Sequence, residues 1–153
     1  MASVTRTILI NAPIERVFAV ITDFAAYPEF LSDVTSARVV RTDGDCQDVE
    51  FRLQLMTTIH YTLRMQLAPP QGVRWHLVQG QFMRSNDGSW ALKTANGGTE
   101  ATYTVDIGLG MLVPKMVTNA LVEGNLPATL AAFKARAEAK VKTGRPRKTK
   151  GRQ

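Results

Sequence analysis

The chain has 153 residues, 44% of them hydrophobic and 21% charged, a composition that suits one folded domain with a sizeable core and excludes a wholly disordered chain. No apolar run approaches the ~20 residues of a membrane-spanning helix, and the single cysteine, Cys46, excludes an intrachain disulfide and a cysteine metal cluster. The net charge of +6 is unevenly placed: residues 134–153 hold nine Lys and Arg against Glu138, while residues 1–133 hold ten basic and twelve acidic residues.

The folded body is therefore near neutral, and the basicity belongs to the end of the chain. Residues 3–10, Ser-Val-Thr-Arg-Thr-Ile-Leu-Ile, are rich in β-branched types and predict a first strand. The opening residues run into that strand without the apolar core of a signal peptide, which makes the cytoplasm the expected location. Asn11-Ala12-Pro13 ends the strand, and Ile14, Val17, Phe18 and Ile21 then recur at helical spacing over residues 13–23. Proline suits a first helical turn, and Glu15 suits its positive end. A second short helix or turn is expected through Phe24–Leu31, which contains Pro28.

Strand-like runs follow. Thr35–Arg41 precedes an Asp43-Gly44 turn. In 48–56, Val49, Phe51, Leu53 and Leu55 alternate with polar residues, and in 59–67 so do Tyr61, Leu63, Met65 and Leu67. Pro69-Pro70-Gln71-Gly72 marks a turn before Val73, Trp75 and Leu77; a further turn is expected at Asn86-Asp87-Gly88 before Trp90 and Leu92. Asn96-Gly97-Gly98 predicts the last hairpin, leading into Ala101, Tyr103, Val105 and Ile107. Alternation of this kind means a sheet with one buried face, and the short loops mean antiparallel neighbours. Seven strands result, six of them in a meander.

From Leu112 the period becomes helical. Leu112, Val113, Met116, Val117, Ala120 and Leu121 form a stripe that Leu126, Leu130, Phe133, Ala137 and Val141 continue. Gly124 and Pro127 interrupt it, which predicts a kink or break near Pro127. Residues 144–153 lack apolar side chains and are expected to form a disordered basic tail after a 1–143 domain.

This order has a consequence for function. A strongly curved sheet and a helix in its concavity do not close fully on each other, so the space left is lined by inward strand residues. The expected walls are Phe51, Leu53 and Leu55, then Tyr61, Leu63 and Met65, then Trp75 and Leu77, Trp90 and Leu92, and Tyr103 and Val105. Met116, Ala120 and Leu121 are expected as a lid, and Phe30 and Leu31 as entrance residues beside Tyr27 and Glu29. Pockets for apolar ligands are built mainly from such side chains.

Ile10-Asn11-Ala12-Pro13-Ile14-Glu15-Arg16-Val17-Phe18 and Tyr27-Pro28-Glu29-Phe30-Leu31, with this element order, resemble the START-like superfamily, also called SRPBCC. Within it, the chain is most similar to the polyketide cyclase/dehydrase group and the coenzyme Q-binding START-domain proteins, over roughly residues 3–140. The quinone-binding proteins continue the second motif with Pro-Trp-Cys where this chain has Ser32-Asp33-Val34, which weighs against quinone as the ligand. The resemblance implies an α+β helix-grip fold: a curved seven-stranded antiparallel sheet wrapped on a long C-terminal helix, with two short helices between strands one and two. It also implies a hydrophobic ligand, with catalysis used by only some members. Cyclases of this kind use pocket Arg and Tyr groups to bind and polarise a polyketide.

Constellations for catalysis are sparse. No phosphate-binding glycine loop, zinc-binding His pair or nucleophile elbow is present, and neither a cofactor nor a metal is expected. His60 and His76 share the outward parity of their strands, as do Arg52, Arg64, Arg74 and Glu50. A β-bulge would reverse that parity and bring an arginine inward. Tyr61 and Tyr103 point inward and, with Arg64, are the catalytic candidates of the cyclase alternative. Asn119 and Glu123, four apart on one helical face, are read as a solvated helix edge. The favoured function is non-catalytic binding or transport of a hydrophobic small molecule such as a lipid, isoprenoid or polyaromatic compound. A polyketide aromatase/cyclase is the alternative. A second alternative is an RNA- or ribosome-associated module, since a bacterial ribosome-association toxin shares this fold. Its contacts, or contacts with an anionic membrane surface, would come through Arg145, Arg147, Lys148, Lys150 and Arg152.

Overall fold

The computed structural model describes residues 2–55, 57–110, 113–116, 119 and 126–142. Strand β1 (Ala2–Ile10) leads to helix α1 (Ile14–Thr22) and a 3-10 helix (Phe24–Glu29). Six strands follow: β2 (Val34–Asp43), β3 (Cys46–Gln54), β4 (Thr58–Ala68), β5 (Gly72–Gly80), β6 (Met83–Ala95) and β7 (Gly98–Leu109). Helix α2 (Leu126–Lys142) comes last among the described elements.

The seven strands form one antiparallel sheet in the order β1-β7-β6-β5-β4-β3-β2. The meander β2–β7 is the expected one, and β1 closes it by pairing with β7. The two edges are thus β1 and β2, and the helical link between them carries the chain across the sheet. Register shifts occur between β2 and β3, β4 and β5, and β6 and β7; bulges of this kind bend a sheet locally.

Local chemistry accounts for the connections. Asn96 (φ 48°) and Gly97 (φ 82°) both adopt the left-handed conformation between the paired Ala95 and Gly98, the geometry an Asn-Gly hairpin favours. The loop Ile10–Pro13 docks on this hairpin, where Thr99 Oγ1 donates to the Ala12 carbonyl at 2.8 Å. Pro13 precedes α1 and its carbonyl accepts from the backbone N–H groups of Arg16 and Val17. Val17, Val20 and Ile21 then face the core.

One expectation needs correction. Asn86-Asp87-Gly88 is not a turn but lies inside β6; the chain reverses earlier, at Gln81-Phe82, with Phe82 at φ 66°. A packed strand overrides the local turn preference here, because Gly88 is where Trp75 lies flat on the backbone. A Cβ there would fall 2.3 Å from Trp75 Cζ2. Pro127 is the second described residue of α2; the segment before Leu126, on which the expected kink or break depends, lies outside the described residues. Leu112, Val117, Ala120, Leu121, Glu123 and Gly124 lie outside the described residues, as do residues 143–153.

Leu126, Leu130, Phe133 and Ala137 form the buried stripe of α2 and lie against the sheet and α1. Lys134 Nζ donates to the Leu9 carbonyl at 2.7 Å and to Glu138 at 2.6 Å, and Glu138 accepts from the Asn11 N–H at 2.8 Å. These contacts tie α2 to the end of β1 and set how far it sits from the far strands.

Candidate functional site

Between α2 and the sheet lies a cavity of about 240 Å³. Its walls are inward residues of β3 to β7, namely Phe51, Leu53, Tyr61, Leu63, Met65, Trp75, Trp90, Tyr103 and Val105, joined by Leu55 just beyond β3. Phe30 and Leu31 complete the side near the 3-10 helix. Strand alternation brings these expected residues together, since every second side chain of neighbouring strands meets on one face.

Others fall elsewhere. Leu92 is buried in the core without lining the cavity. It is one inward position beyond Trp90, towards the hairpin, at the end of the sheet where α1 packs. Leu77 is half-buried opposite Leu63 and does not line it either. Met116 is 62% exposed and is not among the residues lining the cavity, while Ala120 and Leu121 lie outside the described residues. The described part of the lid is formed instead by Leu126, Ala128, Thr129, Ala132 and Phe133 of α2. Phe133 was legible as part of the apolar stripe of that helix; that its turn covers the cavity depends on how α2 is tied to β1.

Two lining residues could have been found by parity: Ile107 follows Tyr103 and Val105, and Asn86, hidden by the mistaken turn, shares the parity of Trp90. Met83 lines the cavity only because the register shifts between Met83 and Ser85. Asn86 is 6% exposed and its Oδ1 accepts from Trp75 Nε1 at 3.2 Å, so the indole is oriented by a buried amide. Tyr27, expected at the mouth, is buried, and its hydroxyl donates to the Ile21 carbonyl. Ser32 and Ala128 are exposed members of the lining, which places the opening between the loop after the 3-10 helix and the first turns of α2.

An aromatic belt runs through the wall. Tyr61 stacks on Phe51 at 5.4 Å between centroids, and Phe51 meets Tyr27 at 6.0 Å. Tyr27 and Phe30 both meet Phe133 edge-on, at 5.3 and 5.2 Å. Phe133 continues to Trp90 at 5.3 Å, Trp90 to Tyr103 at 5.2 Å, and Tyr103 to Trp75 at 5.9 Å. Such ring pairs prefer these edge-on and offset geometries.

The polar groups inside are few. No hydrogen bond joins the hydroxyl of Tyr61 or Tyr103 to another described residue. Burial raises the Tyr103 pKa to about 12, and burial, then the nearby Tyr103, holds that of Tyr61 higher still. Both are proton donors at neutral pH. Asp33 also lines the cavity beside the opening. Arg64 does not enter it. Its Nε and Nη2 donate to the two carboxylate oxygens of Asp48 at 2.7 and 2.9 Å on the opposite face of the sheet. The bulge between β4 and β5 adds its extra residue, Val78, to β5 and leaves the parity of β4 intact. His60, His76, Arg52 and Arg74 are exposed, and Glu50 pairs with Arg38 at 2.9 Å. Asn119 is exposed, and its partner Glu123 lies outside the described residues. Among the described residues no group of three or more His, Cys, Asp or Glu is placed to hold a metal ion, and no helix is long and apolar enough to cross a membrane.

Comparison with known proteins agrees with this geometry. A family model described as polyketide cyclase/dehydrase and lipid transport matches residues 1–138. Among solved structures, an aromatase/cyclase from a Streptomyces species superimposes with a TM-score of 0.82 at 20% identity, covering 91% of this chain and 94% of that one. A START superfamily protein from Mycobacterium smegmatis gives 0.79 at 16% identity, covering 91% and 99%. A fragment of a STAR-related lipid transfer protein from Xanthomonas axonopodis gives 0.73 at 16%, covering 89% and 85%. At these identities the likeness establishes the helix-grip fold.

Proposed function

Because the chain belongs to the polyketide cyclase/dehydrase and lipid transport family, we propose that it binds and carries one hydrophobic small molecule in its cavity without transforming it. The aromatic belt carries this reading: Phe30, Phe51, Phe133, Trp75 and Trp90 present rings to one enclosed space, a surface suited to a polyaromatic compound or to a compact lipid or isoprenoid. The volume is just under the roughly 300–1,000 Å³ of common ligand pockets, so a ligand of a few rings or a short chain fits best. With Arg64 held by Asp48 on the far face, the described wall offers no arginine to polarise a substrate. We place this activity in the cytoplasm.

The cyclase reading keeps one observation in its favour. Two protonated tyrosine hydroxyls, Tyr61 and Tyr103, line the cavity, and such donors suit the carbonyl oxygens of a polyketide. Contact with RNA or anionic lipid through Arg145, Arg147, Lys148, Lys150 and Arg152 rests on charge alone.

Native mass spectrometry of the purified protein tests the leading reading. We expect a retained apolar compound, or uptake of a fluorescent lipid probe that quenches Trp75 and Trp90. Leu63→Arg, which puts an unpaired charge at a position 6% exposed, should abolish uptake or unfold the chain. A folded Leu63→Arg variant that takes up the probe normally would exclude this cavity as the site.

A further inference from the structure

A second, smaller space of about 90 Å³ lies between α1, the 3-10 helix and α2. Two guanidinium groups border it, Arg16 from α1 and Arg136 from α2, with Asp23, Phe30 and small apolar residues around them. Arg16 Nε and Nη2 are buried and bond to no other described residue, Asp23 included. Arg136 is only partly committed. Its Nη2 donates to Glu29 Oε1 at 2.6 Å, and its guanidinium carbon lies 5.0 Å from the centre of the Phe30 ring.

This arrangement is costly as it stands. Arg16 as a whole is half-buried, but its Nε and Nη2 have lost their hydration without a replacement partner, and a second cation beside it adds repulsion. Burial first, and Arg136 second, hold Arg16 below its ordinary pKa. One group relieves all of this: an oxyanion, whose oxygens accept from the planar fork of N–H donors that arginine presents. The space is too small for an apolar ligand body but has room for a carboxylate or phosphate.

Phe30 lines both spaces. The Phe30 ring therefore stands between the two spaces, and a ligand in the main cavity would reach the arginine pair by passing its polar end around that ring. We propose that the Arg16–Arg136 space is an oxyanion site that takes the carboxylate or phosphate end of an amphiphile whose apolar part occupies the main cavity. The apolar half of this proposal rests on the binding function above; the oxyanion half stands on the arginines alone.

Calorimetric titration with decanoate, decyl phosphate and 1-decanol, together with melting in inorganic phosphate against chloride at equal ionic strength and at low millimolar concentrations, where the general salting-out effect of phosphate is negligible, tests both halves. Charge-assisted hydrogen bonds predict that an anionic ligand binds roughly 10–100-fold more tightly than the alcohol, and that phosphate raises the melting temperature above its value in chloride. Whichever of decanoate and decyl phosphate binds more tightly identifies the head group. Arg16→Gln should bring the anionic ligands down to the level of decanol without weakening decanol, and Arg16→Lys should recover part of the difference. If Arg16→Gln does not fold, the comparisons on the unmodified chain decide. Equal affinity for decanol and both anionic ligands overturns the head-group assignment, and equal melting in phosphate and chloride overturns the oxyanion site. Protection by phosphate with no binding of any decyl compound overturns the cavity reading and leaves the oxyanion site standing.

Discussion

Burial of the hydroxyls of Tyr27, Tyr61 and Tyr103 has a measurable consequence for stability. All three pKa values are raised, with desolvation the main cause. A tyrosine in the unfolded chain ionises near ~10. Above that pH the unfolded state sheds protons that the folded state keeps, so the stability present below about pH 10 is lost as pH climbs towards the folded values. The slope reaches at most ~1.4 kcal/mol per pH unit for each tyrosine. Urea unfolding at several values between about pH 9 and about pH 11 should reveal it, and Tyr61→Phe with Tyr103→Phe should flatten it relative to the unmodified chain. An unchanged slope in that double variant would mean that the two hydroxyls are solvated. The same variants separate carrier from enzyme. A carrier should lose ~0.5–1.5 kcal/mol of affinity per hydroxyl at most. A cyclase should lose turnover by roughly 10²–10⁴-fold with binding intact, measured on a polyketide chain analogue.

The elements that shape the cavity are β5, β6 and α2, and their contacts are specific. Trp75 lies on Gly88, where a Cβ would also fall 2.6 Å from the Thr104 carbonyl of β7. Gly88→Ala should therefore cost ~1–3 kcal/mol by overpacking and shift the fluorescence of Trp75. From α2, Phe133 reaches Tyr27, Phe30 and Trp90 at once. Phe133→Ala should cost ~3–5 kcal/mol in urea unfolding. The enlarged cavity should then admit a bulkier probe than the unmodified chain, a gain that a purely structural role for this ring would not produce.

For the whole molecule, the excess positive charge is concentrated at the end of the sequence. Cutting after Thr143 removes Arg145, Arg147, Lys148, Lys150 and Arg152 and takes the net charge from +6 to +1. The cut lies beyond α2 and beyond the residues matched by the family model, so melting temperature and probe binding should not change. If the end of the chain contacts phosphates, binding to RNA or anionic vesicles should fall sharply on truncation, and in the full-length chain should weaken as salt rises. Equal binding by both forms would reduce these residues to a solubilising role.

Period alone was enough to locate six of the strands and the second half of β6, the helix after Pro13 and the inward parity of Phe51, Leu63, Trp75 and Tyr103, because strand alternation is a local property. The Asn96-Gly97 hairpin was equally legible, since its left-handed conformation is built into those two residues. Which inward residues line a cavity and which fill the core was not local. Trp90 and Leu92 share one face of one strand, yet only Trp90 reaches the open space; Leu92 lies towards the end where α1 packs. Among the described residues, α2 brings Phe133 over the cavity, and Lys134 and Glu138 tie that helix to β1. The Arg16–Arg136 pair is the extreme case. The two residues are 120 positions apart, and only the packing of α1 against α2 turns them from two surface-type side chains into one charged recess.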